Sequence, residues 1–403
     1  MRLYKNLAFA VVDCLHQIFN KGIYANKAVE QALKLDKRKG ATDRRFIAET
    51  TYDIVRKKRL YTQLAGLNNT CSSSNLWKIF AVHCVLKQIE LPDWSEIAKV
   101  SKEQVELDFA NIYKVRKFRE SVPDWIDLLG VKQLGEQVWT KEIAALNQQA
   151  EVVLRTNTLN INKKRLQKVL AQQGVQTSFI KGYKDALRLK ERSNILNTEA
   201  FKKGYFEIQD ASSQLVAPYL EVEPGMEVID ACAGSGGKTL HLASLMGNQG
   251  KITAIDIHES KLKKLKIRAY RNRVYNINTQ VVNCKTGIKS LYDKADRVLI
   301  DVPCSGLGVL KRNPDYKWKL SPEHLNNLQS KQREILGRYS KTLKSGGLLV
   351  YATCSVLASE NQENIKLFLN SEAGRYFTFI KDKKVLAHIS GYDGFYMALL
   401  KRK

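Results

Sequence analysis

The chain has 403 residues, and its 66 Lys and Arg against 40 Asp and Glu leave a formal net charge of +26. With 44% apolar and 26% charged residues, 7 prolines and 23 glycines, the composition is globular and excludes a disordered, fibrous or low-complexity polymer. At roughly 100–200 residues per domain the length allows about two to four domains, and so large a cationic excess points to a polyanionic partner, nucleic acid first.

The opening MRLYKNLAFAVVDCL sets Arg2 and Lys5 before an apolar run. Asp13 interrupts that run, no small-residue cleavage site follows, and apolar residues continue at helical spacing through Leu15, Ile18 and Phe19. The segment therefore reads as the first helix of a folded domain rather than a leader peptide. No apolar stretch approaches the ~18–20 residues that span a bilayer, so no membrane association is expected.

Between Ala41 and Leu64 the apolar set Phe46, Ile47, Ile54, Val55, Tyr61 and Leu64 predicts one helix, capped at Thr42 or Asp43. Its other face carries Arg44, Arg45, Arg56, Lys57, Lys58 and Arg59, which is either solvated or turned to phosphates. A second basic cluster, Lys114, Arg116, Lys117 and Arg119, comes just before Pro123. That proline and Gly130 put a first boundary at about 120–130.

From about residue 150 the pattern changes to short strands. VVLRTN (152–157) reads as a strand, Asn162 as the cap of a helix containing Leu166, Val169 and Leu170, and Gly174 as its left-handed terminator. Strand-like segments around 176–190 and at YFEIQ (205–209) complete a small α/β unit. Farther on, EVIDA (227–231), KITAID (251–256), RVLID (297–301) and LLVYAT (348–353) alternate with helix-length segments. Such runs predict strands buried on both faces of a parallel sheet, hence a doubly wound α/β domain. The expected division is a helical domain over 1–120, linking helices and a small α/β domain over 121–220, and the large α/β domain over 221–403.

The most informative stretch is DACAGSGGKT (230–239), directly after the strand EVID. Gly234, Gly236 and Gly237 let the backbone turn sharply and approach a ligand, at the strand ends where open α/β sheets bind theirs. A phosphate-binding loop would need glycine where Cys232 stands, and a dinucleotide GxGxxG would need one at Thr239, so neither applies. Asp256, ending KITAID, is placed to accept hydrogen bonds from both ribose hydroxyls of an adenosyl cofactor.

The seven cysteines are Cys14, Cys71, Cys84, Cys232, Cys284, Cys304 and Cys354, with no CxxC pair. That usage suggests neither a disulfide framework nor a zinc site, and it predicts a soluble protein of a reducing compartment, the cytoplasm, without a metal. Cys14, Cys71 and Cys84 lie in helical segments and read as small buried apolar residues. Cys304, in DVPCSG, and Cys354, in YATCS, instead follow two strands of one sheet. A thiolate beside a nucleoside-type cofactor suggests addition to carbon 6 of a cytosine. Carbon 5 then becomes nucleophilic enough to take the methyl group of S-adenosylmethionine. Asp301 is the candidate to hydrogen-bond the pyrimidine, and Lys238 to orient that carboxylate or to cap the loop.

These residues resemble the RNA 5-methylcytosine methyltransferase family, and in particular its bacterial branch, small ribosomal subunit RNA methyltransferase B. The likeness runs through PDWIDLLG (123–130), LRTNTLN (154–160), EIQDASSQLVA (207–217), DACAGSGGKT, DVPCSGLGV (301–309), RNPDYKW (312–318), YATCS (351–355) and GFYMALLKRK (394–403). The first 65 or so residues resemble a NusB-like helical RNA-binding domain. The resemblance implies a Rossmann-like S-adenosylmethionine-dependent methyltransferase domain, preceded by a small α/β domain and a helical NusB-like domain. It implies Cys354 as nucleophile, Cys304 as the thiol assisting release, and Asp301 and Lys238 as further catalytic residues. Cofactor contacts fall on Cys232, Ala233, Gly234, Ser235, Gly236, Gly237, Lys238, Asp256, Asn283 and Asp301. Gly234-Ser235 stands where the family usually has Ala-Pro, and Asn283 where it usually has an acid.

The implied partner is structured RNA, most readily 16S ribosomal RNA, bound by a monomer. Transfer RNA, or a non-catalytic assembly role on the same fold, are the alternatives. Lys261, Lys263, Lys264, Lys266, Arg268, Arg271 and Arg273 are candidates for an RNA track, and Tyr316 and Trp318 for base stacking or, in the case of Trp318, core packing.

Overall fold

The computed structural model describes residues 3–36, 38–68, 72–98, 100–282 and 285–403, without the side chains of 285 and 286. The chain divides into two compact units, Met1–Gln148 with Leu310–Ser321, and Gln149–Val309 with Pro322–Lys403. This partition differs from boundaries at 120 and 220. The helices Asp124–Leu134 and Glu136–Leu146 go with the first unit, and so does a short piece taken from within the large α/β region.

The first unit is helical among its described residues. Its opening helix, Lys5–Phe19, buries Leu7, Val11, Leu15 and Ile18 at the anticipated spacing. The single helix expected over 41–64 is two, Ala41–Arg56 and Lys58–Leu64, with Lys57 at φ −106°, ψ 22° between them. The first is capped by Gly40, whose N–H donates to Asp43 (3.3 Å), rather than by Thr42 or Asp43. A break leaves new N–H groups without helical partners. Here Ser121 Oγ accepts from the N–H of Arg59 (2.7 Å) and Leu60 (3.4 Å), a cap from sixty residues away that local periodicity cannot reveal.

The basic clusters of this unit are largely taken up by its own structure. Arg56 is buried and donates to the carbonyls of Leu310 (3.1 Å) and Lys311 (2.9 Å). Arg59 and Lys117 pair with Asp124, Arg116 with Asp127 and Glu136, and Arg119 with Glu120. In the segment Leu310–Ser321, Asp315 accepts from the Ala25 N–H (3.1 Å) and Trp318 Nε1 donates to the Val55 carbonyl (2.7 Å). Trp318 therefore packs against the helical core, and Tyr316 meets Tyr24 edge-on.

The second unit holds two sheets among the described residues. The smaller comprises β1 (Val153–Thr156), β2 (Thr177–Phe179), β3 (Ala186–Leu189) and β4 (Phe206–Ile208), antiparallel in the order β2-β3-β1-β4. Asn162 caps the helix Lys163–Gln172 as anticipated, and Gly174 follows it at φ +77°. The larger comprises β5 (Glu227–Asp230), β6 (Lys251–Asp256), β7 (Ile277–Val281), β8 (Ala295–Asp301), β9 (Leu343–Thr353), β10 (Phe377–Val385) and β11 (Phe395–Arg402). Their order is β10-β11-β9-β8-β5-β6-β7, with β5 to β9 parallel and β11 antiparallel to both β9 and β10. The chain runs outward from β5 through β6 to β7, then returns to β8 on the other side of β5. The crevice at the carboxyl ends of β5 and β8 is thus a topological switch point, where ligands of such sheets bind.

No helix among the described residues is long and apolar enough to cross a membrane.

Candidate active site

Pairing of β8 with β9 sets Asp301 opposite Ala352, so the loops leaving the two strands start side by side. The Val302 N–H continues the ladder to the Ala352 carbonyl (3.1 Å). Two residues farther on, the sulfurs of Cys304 and Cys354 lie 3.1 Å apart, both partly exposed and both free. Gly308 permits this approach. Its N–H donates to the Cys354 carbonyl (2.9 Å), its own carbonyl accepts from Gly394 (2.7 Å), and a Cβ there would fall 2.2 Å from the Gly394 oxygen.

Cys304 is held well above the ordinary thiol range, first by its hydrogen bond with Cys354, then by burial and by the charges of Cys354 and Glu360. Lys238, from the first turn of the helix Gly237–Leu245, donates to Asp301 at 2.5 Å and lies 5.3 Å from the Phe395 ring centre. Burial opposes its charge, but Asp301 outweighs burial and holds the pKa above the lysine norm, with smaller contributions from Cys354 and Asp230. A permanent cation thus interacts with Cys354, whereas the anion of Glu360 acts on Cys304.

The other described thiols differ. Burial pushes Cys14 up to about 11 and Cys84 up to about 12. Burial, with the carboxylates of Asp230, Asp301 and Asp256, keeps Cys232 protonated. Cys71 lies outside the described residues.

The glycine loop follows β5. Gly236 caps the helix Gly237–Leu245 at φ +86°, where a Cβ would also fall 2.5 Å from Leu265 Cγ, so two independent demands exclude a side chain. Asp256 ends β6 and accepts from the N–H of Gly234 (2.9 Å) and of His258 (2.8 Å), one on each carboxylate oxygen. The loop carbonyls are held by two arginines: Ser235 by Arg268 (2.6 Å) and Gly237 by the fully buried Arg155 (2.6 Å). Arg268 and Arg271 both also bind the buried Glu207 on β4. These two arginines are therefore internal struts and leave the expected RNA track, whereas Lys261, Lys263, Lys264, Lys266 and Arg273 are exposed.

Comparison with known proteins bears on this arrangement. Residues 217–401 match the family model of the 16S rRNA methyltransferase RsmB/F, and residues 122–196 that of the RsmF/B-like ferredoxin-like domain. The probable ribosomal RNA small subunit methyltransferase B of Synechocystis sp. is 30% identical over 99% of both chains. The chain belongs to the RsmB/F methyltransferase family. A second relative, ribosomal RNA small subunit methyltransferase B of Serratia proteamaculans, is 32% identical over 69% of this chain and 66% of its own. The crystal structure of PH0851 shares the fold over the whole length of both chains, with a TM-score of 0.82 at 24% identity.

As an RsmB/F methyltransferase the chain acts on RNA with S-adenosylmethionine as methyl donor. The crevice suits an adenosyl sulfonium. Each Asp256 oxygen receives one backbone N–H and keeps a lone pair for a ribose hydroxyl, and the glycines leave the loop backbone open to a ligand. Asn283, the remaining contact expected from sequence, lies outside the described residues.

Sequence reasoning missed a buried polar group behind the thiols: Glu360, Asn361 and Gln332. Glu360 and Asn361 follow Cys354 by six and seven residues in an ordinary turn-like stretch, and nothing in that stretch announces them. Arg155 was likewise read as one residue of a strand; its partner Gly237 lies 82 positions away.

Proposed function

We propose that this enzyme methylates carbon 5 of a cytosine in 16S ribosomal RNA through a covalent adduct with Cys354. The observation that carries the reading is the pair of free sulfurs 3.1 Å apart at the ends of adjacent parallel strands, beside the Lys238–Asp301 pair. A lone methyl-transfer site needs no thiol. Two thiols with opposite electrostatic neighbours suit a reaction in which one adds to the base and the other serves its release.

Cys354 adds to carbon 6 of the cytosine, making carbon 5 an enamine carbon. Asp301, oriented by Lys238, hydrogen-bonds the pyrimidine edge as electron density moves onto the ring. When bound, S-adenosylmethionine supplies the electrophilic methyl group. Solvent water takes the carbon 5 proton, the C5–C6 double bond re-forms, and the Cys354 sulfur leaves as the thiolate, with the Cys304 thiol, 3.1 Å away, donating a hydrogen bond to the departing sulfur. The target cytosine must be unpaired or turned out of its helix to reach this crevice. Exposed Lys261, Lys263, Lys264, Lys266 and Arg273, with Tyr270 and Tyr275 almost fully exposed among them, provide charge and stacking surfaces for flanking RNA.

The test uses 16S ribosomal RNA carrying tritium at carbon 5 of cytosine, from cells lacking the protein. Tritium is expected in water in step with methyl transfer. Methyl transfer without tritium release would refute cytosine carbon 5 as the acceptor.

A further inference from the structure

Glu360 is fully buried, six residues past Cys354, and no step described above uses it. Its carboxylate is surrounded by donors from both cysteine loops. Oε1 accepts from the Ser305 N–H (2.8 Å) and from Gln332 Nε2 (2.9 Å). Oε2 accepts from Ser305 Oγ (2.5 Å) and from Ser355 Oγ. Ser305 directly follows Cys304, and Ser355 directly follows Cys354. A carboxylate surrounded by four donors accepts all of them only as the anion.

The preceding residues are held from the same side. Gln332 Nε2 also donates to the carbonyl of Pro303 (3.0 Å), immediately before Cys304. Thr353, immediately before Cys354, donates its hydroxyl to Asn361 Oδ1 (2.5 Å), and Asn361 Nδ2 donates to the Ser355 carbonyl (3.0 Å). Both neighbours of each reactive cysteine are thus tied to one polar cluster, whose only acid among these bonds is Glu360.

We propose that Glu360 is a positioning residue that fastens the two cysteine loops together and sets a negative charge behind Cys304. This deepens the proposed cysteine chemistry and rests on it for its catalytic meaning. The groups facing Cys304 are Cys354, Glu360 and the Tyr351 hydroxyl; Lys238 faces the Cys354 side and is neutralised by Asp301. Of these, Glu360 is the carboxylate, and it contributes to the raised position of that thiol.

Glu360→Gln has the same shape, can still accept from Ser305 N–H and Gln332, and can donate to the two serine hydroxyls, so it removes the charge while keeping the fastening. The first readout is the pH dependence of Cys304 alkylation by iodoacetamide, followed by peptide mass spectrometry on the full chain without RNA or cofactor. In Glu360→Gln the Cys304 midpoint is expected to fall by about one pH unit or more, the size typical of a lost neighbouring charge. Glu360→Asp, which restores the charge at shorter reach, should bring most of that shift back. The second readout is turnover: Glu360→Gln should lower kcat about ten- to hundredfold, with KM for RNA and S-adenosylmethionine little changed. A Cys304 midpoint within about 0.3 unit of the native value in a folded Glu360→Gln protein would overturn the proposal. The alkylation needs no substrate, so it decides the role of Glu360 even where the tritium experiment refutes the cytosine reaction.

Discussion

Lys238 and Lys317, the first largely and the second fully withdrawn from solvent, lie in different compact units and meet opposite surroundings. Lys238 faces the Asp301 carboxylate and the Phe395 ring, and its charge is held in place despite burial. Lys317, in the segment Leu310–Ser321, has no carboxylate among its hydrogen-bond partners. It donates to the carbonyls of Arg56 (2.8 Å) and Glu120 (3.3 Å) and to Asn147 Oδ1 (3.0 Å). Burial, helped by the Arg56 charge, drives its pKa well below the lysine norm, and Glu120 only partly opposes this. Burial alone does not make a reactive group; the partner decides. A carboxylate fixes a permanent cation beside a thiol, whereas neutral acceptors turn the same side chain into a fastener for a chain segment.

Exchanging each lysine for methionine should separate the two roles. Lys238→Met is expected to cut kcat about 10²–10³-fold, the usual effect of removing a preorganised charge from an active site. Methyl transfer at native rates would break the comparison. Lys317→Met removes a donor from the Arg56 carbonyl and from Asn147 Oδ1, while the Glu120 carbonyl keeps Asn147 Nδ2, and each buried group left unsatisfied costs about 1–3 kcal/mol before the gain from the apolar chain. A net loss near 2 kcal/mol in urea unfolding is therefore expected, with kcat per folded molecule changed less than in Lys238→Met.

The pH dependence sharpens the contrast, because the two signs differ. For Lys317 the folded pKa lies below the unfolded value of about 10.4, so between them the unfolded chain holds more protons and stability rises with pH. The deficit of Lys317→Met should thus widen from about pH 8 to about pH 10, because the native chain gains stability there and the variant does not. For Lys238 the folded pKa is raised, so its contribution is complete below about pH 10.4 and is lost only as pH climbs through the folded value. Parallel pH profiles for the two variants, each taken against the native chain, would contradict these assignments.

Much of the large sheet was legible in advance. Strands such as VLID and LLVYAT are buried on both faces and therefore read as continuous apolar runs, and the glycine loop, Asp256, Asp301, Cys304 and Cys354 follow their ends. β10 was not recognised, because most of its residues are exposed and it offers no apolar run. β7 lacks one too, because none of its residues is buried. The break at Lys57, the internal use of Arg56, Arg268 and Arg271, and the support of the thiols by Glu360 also escaped. Each depends on a partner at least sixty or so positions distant or on a three-dimensional cluster, and basic residues facing a buried acid look like basic residues facing water. The residues of the proposed site were thus visible at the strand ends, and their supports were not.

The central claim is that the two thiols are unequal, with Cys354 bonded to the base and Cys304 needed for its release. The most direct measurement incubates Cys304→Ala, Cys354→Ala and the double variant with labelled 16S ribosomal RNA and S-adenosylmethionine, then resolves the products under denaturing conditions. Cys304→Ala should accumulate an enzyme–RNA adduct that survives denaturation, and Cys354→Ala and the double variant should form none. An adduct that builds up in Cys354→Ala and is absent from Cys304→Ala would contradict the account.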